Sequence, residues 1–371
     1  MILFLLIFLS LYGGINFYAF LKAKTLFHFS GKIEIIIIIS MIFLILAPII
    51  IKLAEKIHWE TLARSIAYCG YLWMAFVFLF FVIHVSFDLI RPLLKIIFQT
   101  PGGDSLKNIL FFTALFLSLS FVVYGFFDAK NIQVKKLEIH TEKLPPGHET
   151  LRIVQISDVH IGLIVRGKRL QNILEKVREA KPDILVSTGD LLDGELDNIA
   201  SEAKRMMEIK PKFGKYAIMG NHEYYAGIEK SLAFTKSAGF EILRDESKKI
   251  AGIHMIGLDD PTGRGYGVSE KNPSLSNLFP VKKSKEFILL LKHQPTIRED
   301  KNFDLQLSGH THGGQIFPFM FLTRIFFPKN SGYHQLSDNK SVYISKGAGT
   351  WGPPVRFLAP PEITIIDVIK K

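Results

Sequence analysis

Two imidazoles stand two residues apart in the stretch Ser308-Gly309-His310-Thr311-His312-Gly313-Gly314-Gln315, directly after the short run Leu305-Gln306-Leu307. If that run is a strand, both rings leave its end on a tight turn, and the flanking glycines let backbone approach whatever the rings hold. Four further apolar runs end in the same way. Residues 153–156 are followed by Ser157-Asp158-Val159-His160, and residues 184–187 by Thr188-Gly189-Asp190-Leu191-Leu192-Asp193. Residues 216–219 lead into Gly220-Asn221-His222-Glu223, and residues 287–291 into Lys292-His293-Gln294-Pro295. A glycine-rich loop with two solvated histidines is the blander reading of residues 308–315, and any one cluster alone is weak evidence, since a lone D-x-H is common. Together they bring Asp158, His160, Asp190, Asn221, His293, His310 and His312 to one rim, because sites in open α/β sheets gather beyond the carboxyl ends of the strands. Carboxylate, imidazole and amide oxygen suit a divalent Mn, Fe or Zn ion. The single cysteine, Cys69, lies in an apolar segment, so a structural zinc–cysteine site is excluded. A carboxylate can be shared between two cations, and a pair of metals ~3.5–4 Å apart can clamp the oxygens of an in-line phosphoryl displacement.

The elements around these clusters read as an α/β layout first and mixed strands later. Leu170, Ile173, Leu174 and Val177 fall at i, i+3, i+4 and i+7, one face of a helix. Helices are also expected over residues 196–207 and over 229–238, the latter ended by Gly239. Strands are expected at 253–258, 342–345 and 363–368. Residues 128–150 read as a linker and first strand (132–139) closing on the turn Pro145-Pro146-Gly147. There is no internal repeat.

The chain has 371 residues, 48% of them hydrophobic, with 31 Phe, and the apolar residues crowd the first third. Four stretches there, 2–21, 33–51, 66–87 and 108–127, are each near the ~20 residues that a helix needs to cross the hydrocarbon core. The first has no basic n-region and no evident cleavage site, so it reads as a retained helix, not a signal peptide. Residues 1–127 are thus expected to be a transmembrane region. The formal charge of +11 is scattered without a basic run, which fits anionic headgroups; a bilayer is the expected partner, and no nucleic acid is expected. Basic residues are balanced across the connecting segments, but Lys22 and Lys24 follow the first helix and nothing basic except the α-amino group precedes it. That favours the N-terminus outside, and four spans return the C-terminal domain to the outside. His84, with Asp88 one turn later, reads as a neutral, hydrogen-bonded structural histidine. Spans without paired charges argue against a transporter.

Residues 151–371 resemble a calcineurin-like metallophosphoesterase domain, with the motifs D-x-H, G-D-x-x-D, G-N-H-E, H-x-P and G-H-T-H-G-G-Q intact. The resemblance implies a two-sheet β-sandwich flanked by helices and two divalent cations. Asp158, His160 and His312 would hold the first cation, Asn221, His293 and His310 the second, with Asp190 bridging. His222 matches the family's acid that stabilises the transition state and protonates the leaving oxygen, and Asp193 the residue that orients it. Ser345-Lys346-Gly347-Ala348-Gly349 and Pro360-Pro361-Glu362 resemble a membrane-linked subgroup with N-terminal transmembrane helices. Some relatives of that subgroup cleave the pyrophosphate of UDP-2,3-diacylglucosamine. The expectation is an integral protein of the bacterial inner membrane that hydrolyses phosphodiester or pyrophosphate bonds of an amphiphilic, lipid-linked substrate. The alternative is a non-catalytic membrane sensor or scaffold with a metal-binding domain; against it, a binding module has no need of a general acid such as His222.

Some residues keep two readings. Asp193 either stands behind the site or caps the following helix. Glu223 reads as structural and Asp259-Asp260 as a turn. Tyr224-Tyr225 either line a groove or pack. Residues 316–329 are apolar and contain Pro318 and Pro328, so an uninterrupted helix or strand is not expected. This stretch is either a core segment or an apolar lip, its phenylalanines in the membrane interface and Arg324 and Lys329 at headgroup level.

Overall fold

The computed structural model describes residues 2–98, 104–145, 147, 149–194, 199–267, 278–279, 284–297 and 302–371. They form two compact units, one of residues 1–127 with 352–357 and one of residues 128–351 with 358–371. Residues 352–357, placed in the C-terminal domain on sequence, thus fall with the helices.

The first unit consists of α1 (Ile2–Phe27), α2 (Lys32–Lys56), α3 (Glu60–Phe98) and α4 (Asp104–Asp128). All four are long and apolar enough to cross a membrane. They outrun the apolar stretches expected from sequence, α3 by the most, from Glu60 to Phe98. Ile33, Ile35, Ile36 and Ile39 of α2 are all exposed, a continuous apolar face that belongs against lipid. Polar groups tie α1 to α3: Trp73 Nε1 donates to Asn16 Oδ1 at 2.8 Å. Lys22 Nζ pairs with Asp88 Oδ2 at 2.6 Å, and Tyr18 Oη donates to the same carboxylate oxygen at 2.8 Å while lying 2.8 Å from His84 Nδ1. The pair joins residues just past the apolar stretches, where ammonium and carboxylate meet at a helix end. Within this unit the Arg356 N–H donates to Gly125 O at 2.9 Å, and Phe357 stacks on Phe121 at 4.5 Å.

The second unit runs β1 (Gln133–Thr141), β2 (Thr150–Ile156), α5 (Lys168–Ala180), β3 (Ile184–Ser187), α6 (Ala200–Met207), β4 (Lys215–Ala217), α7 (Asn221–Tyr225), α8 (Ile228–Ser237), β5 (Glu241–Ile242), β6 (Glu246–Ile250), β7 (Ile253–Gly257), α9 (Thr262–Gly265), β8 (Phe287–Leu291), β9 (Leu305–Ser308), α10 (Met320–Phe326), β10 (Gly332–Ser337), β11 (Lys340–Ile344) and β12 (Glu362–Lys370). One sheet has the order β1-β12-β2-β3-β4-β5 and the other β10-β11-β9-β8-β7-β6. In the first, β2 to β5 are parallel and β12 inserts antiparallel to β2. In the second, β7, β8, β9 and β11 are parallel, with β6 and β10 as antiparallel edges. The inner faces share one core that includes Ile153, Val186, Leu289, Leu291, Leu307 and Ile366. The architecture is thus four apolar helices followed by two mixed sheets flanked by helices.

The central parallel strands β3 and β8 are buried throughout and read in sequence as short apolar runs, as in Phe287–Leu291. The helix face expected at Leu170, Ile173, Leu174 and Val177 is the buried face of α5. The edge strands β6 and β10 were missed, because the first is exposed at all but its last residue and the second alternates half-buried with exposed. Residues 195–198, the start of the helix expected from Leu196, and Pro146 of the expected turn lie outside the described residues. Between its two prolines the stretch 316–329 does form a helix, α10, short enough to fit.

Candidate metal centre

The loops that end β2, β3 and β4 lie side by side. Asp158 and His160 donate their N–H groups to Gly189 O and Asp190 O, each at 3.0 Å. From the other sheet, the Gly309 N–H donates to His293 O at 3.0 Å, and Gln155 Nε2 reaches across to Ser308 O at 2.9 Å. This stitching forces unusual backbone. Asp158 (φ 50°), His160 (52°), Asp190 (52°), His310 (74°) and His312 (51°) are all left-handed, a conformation few non-glycine residues take. Such residues cost on the order of 1–3 kcal/mol each and persist where the surroundings hold them. The glycines let loops close: a Cβ on Gly309 would stand 2.1 Å from Asp158 Oδ2, and one on Gly220 would stand 2.2 Å from Asp190 Oδ1.

The side chains converge in two groups. Asp158, His160 and His312 each offer a ligand atom within 4.8 Å of the others, and so do Asp190, His293 and His310. Nε2 of His160 lies 3.0 Å from Nε2 of His312. Asn221 Oδ1 joins the second group, 3.1 Å from His293 Nε2 and 2.9 Å from His310 Nδ1. Asp190 lies between the groups, its Oδ2 3.2 Å from His293 Nε2 and 3.8 Å from His160 Nε2.

The ring nitrogens that face away from the centre are engaged. His293 Nδ1 is 2.8 Å from Thr188 O, and His160 Nδ1 is 3.2 Å from Asp193 Oδ1. Burial opposes a charge on His293, but Asp190 outweighs it and raises its pKa well above the usual value; a cation at Nε2 would take the place of that proton while Nδ1 keeps its outward partner, as in metal-ligating histidines. Burial and then the neighbouring His293 push the pKa of His310 down to about 3, so that ring is neutral and free to bind a cation. The convergent oxygen–nitrogen donor set, with the outward nitrogens of His160 and His293 already engaged, fits divalent ions.

His222 and Asp193 stand beside this centre. Asp193 Oδ1 lies 3.3 Å from His222 Nδ1 as well as 3.2 Å from His160 Nδ1. It faces the histidines and does not cap α6. Burial opposes a charge on His222, but Asp190 and Asp193 outweigh it and raise its pKa to about 9. With no cation on Asp190, that favours the imidazolium, the form able to give up a proton. Burial opposes ionisation of Asp193, and its bonds to His160 and His222 overcome that and lower its pKa.

Glu223 is no ligand. Its two oxygens accept the N–H groups of Asp190, Leu191, Leu192 and Gly220 at 2.6–3.1 Å and hold the G-D-x-x-D loop from beneath. Asp259 pairs with Arg244, while Asp260 accepts from Thr262 N at 2.9 Å and Gln294 Nε2 at 3.2 Å, one step from the His293 loop. Tyr224 packs, and Tyr225 is half-exposed with its ring 5.2 Å from His222. Sequence reasoning missed two rim residues, Trp351, 6.0 Å from the His222 ring, and Phe327, 5.1 Å from the His310 ring. The one signal for Trp351 is the Gln that ends the G-H-T-H-G-G-Q motif, because Gln315 binds the Trp351 backbone.

A family model for calcineurin-like phosphoesterases matches residues 151–314. An uncharacterized metallophosphoesterase of Aquifex aeolicus is 39% identical over 258 residues, 68% of this chain and 98% of that protein. Another, from Campylobacter jejuni, is 30% identical over 377 residues, 99% of this chain and 98% of its own length. A transmembrane protein with metallophosphoesterase domain from Danio rerio is 33% identical over 267 residues, 68% of this chain and 61% of that protein. The chain belongs to the metallophosphoesterase family, and its four apolar helices make it a membrane protein.

Proposed function

We propose that this chain is a membrane-anchored hydrolase of phosphodiester or pyrophosphate bonds that works with two divalent cations. The observation that carries the reading is Asp190 lying between two ligand groups, with the His222–Asp193 pair at their side. Asp158, His160 and His312 would hold one cation and Asn221, His293 and His310 the other, with Asp190 shared. Bound there, Mn, Fe or Zn ions supply Lewis-acid charge to the phosphoryl oxygens and lower the pKa of water. His222 hands its proton to the leaving oxygen. The Asp193 carboxylate on its Nδ1 fixes the ring and favours the charged form before transfer.

The substrate we favour is lipid-linked, a phospholipid or a UDP-diacylglucosamine-like molecule. Supporting this are the four membrane helices and the exposed apolar helix α10, which leaves the His310–His312 loop. We place the protein in a bacterial inner membrane with the domain outside; the bacterial relatives and the charges after the first helix favour this. Purified full-length protein should hydrolyse bis-p-nitrophenyl phosphate, lose the activity to a chelator and regain it with Mn²⁺ or Zn²⁺. No turnover of any phosphodiester or pyrophosphate with Mn²⁺, Fe²⁺ or Zn²⁺ would overturn the reading.

A further inference from the structure

The segment after the metal-binding loop is not core. None of the seven residues of α10 is buried, and Phe321, Leu322, Ile325 and Phe326 are 54%, 51%, 71% and 76% exposed. Those four, with the exposed Phe319 before them, make the outer face of the helix. The inner face is fastened to the site. Asn330 Nδ2 donates to Thr323 Oγ1 at 3.1 Å, and Asn330 O accepts from Thr311 Oγ1. Gly314 leaves no room for a Cβ against Met320, and the Phe327 ring lies 5.1 Å from that of His310. The helix is thus an extension of the loop that carries His310 and His312, and its outer face stays exposed among the described residues, with Phe317 meeting the Phe321 ring at 5.7 Å.

We propose that α10 is an interfacial wedge that inserts its outer face into the bilayer and sets the metal centre at headgroup level. The inference deepens the function proposed above by naming the surface from which substrate comes. Two facts select a lipid surface. The chain enters the domain directly from its last span, with only residues 129–132 between α4 and β1, so the domain is tethered to a membrane helix by ~15 Å of chain at ~3.3–3.6 Å per residue. The apolar face is also edged by Arg324 on the helix and Lys329 just after it, the pattern of interfacial helices that bind anionic lipid. A lipid phosphodiester would keep its acyl chains in the membrane beside α10 and present its phosphate to the loop.

The test uses full-length protein in vesicles of phosphatidylcholine and phosphatidylglycerol, with Cys69 replaced by serine. A fluorophore is attached at Ile325→Cys or, as a control, at the half-exposed Lys176→Cys on α5. Brominated lipids should quench the label at 325 and spare that at 176. Equal quenching at both sites, or a label at 325 shielded from both lipid and aqueous quenchers, would mean that water, a second copy or another protein surface meets α10; either outcome overturns the wedge. In a second arm, the Leu322→Ser/Ile325→Ser/Phe326→Ser variant should keep its rate on bis-p-nitrophenyl phosphate and lose on the order of tenfold on vesicle-borne phospholipid, since three apolar side chains leave the interface. Equal losses on both substrates also overturn it. Lipid quenching at 325 in a protein that hydrolyses no phosphodiester would instead sink the enzymatic reading and leave the wedge standing.

Discussion

Gln315 grips the backbone of Trp351 with both ends of its amide: Oε1 accepts the Trp351 N–H at 2.9 Å, and Nε2 donates to the Trp351 carbonyl at 2.8 Å. The residue that closes the histidine loop therefore also sets the aromatic wall beside His222. Gln315→Ala should release that wall at a cost of about 1–2 kcal/mol in local stability. We expect a changed fluorescence of Trp351, unaltered metal content and a raised KM. A variant with native fluorescence and native KM would show that the contact does not shape the site.

Glu223 shows how a residue that touches no substrate can still decide whether the site exists. In Glu223→Gln an amide NH₂ replaces one oxygen and faces backbone N–H groups that have no other partner in the buried floor. The expected loss is on the order of 3 kcal/mol, read as a drop in the thermal midpoint, together with reduced metal content. Unchanged stability and full metal content would mean that the loop holds itself.

His222→Ala should keep its metals and lose roughly 10²–10⁴-fold in rate, the range for a positioned general acid. The loss should be smallest for substrates with good leaving groups, which need no proton. A loss that is the same for nitrophenyl and alkyl esters would make His222 a binding residue only.

The ligand clusters could be read from sequence because each lies in consecutive residues at the end of a buried strand, where an apolar run stops abruptly at Asp, Asn or His. What the sequence hid are contacts made at long range. Trp351 reaches His222 across 129 positions, and nothing local marks it. Glu223 was recognised as structural, but not that its four partners hold the loop of Asp190, because backbone N–H groups leave no trace in a sequence. β6 and β10 expose one face or most of their side chains and so lack an apolar run. Pro318 and Pro328 argued against an uninterrupted helix over 316–329, and they bracket the two-turn helix α10 that fits between them.

The central claim is one carboxylate shared by two cations. Elemental analysis of purified full-length protein measures it directly. The account predicts two divalent ions per chain in the native protein and a marked loss of metal in Asp190→Asn, with nearly all activity gone. A native protein that never binds more than one ion, or an Asp190→Asn variant that retains both, would contradict it.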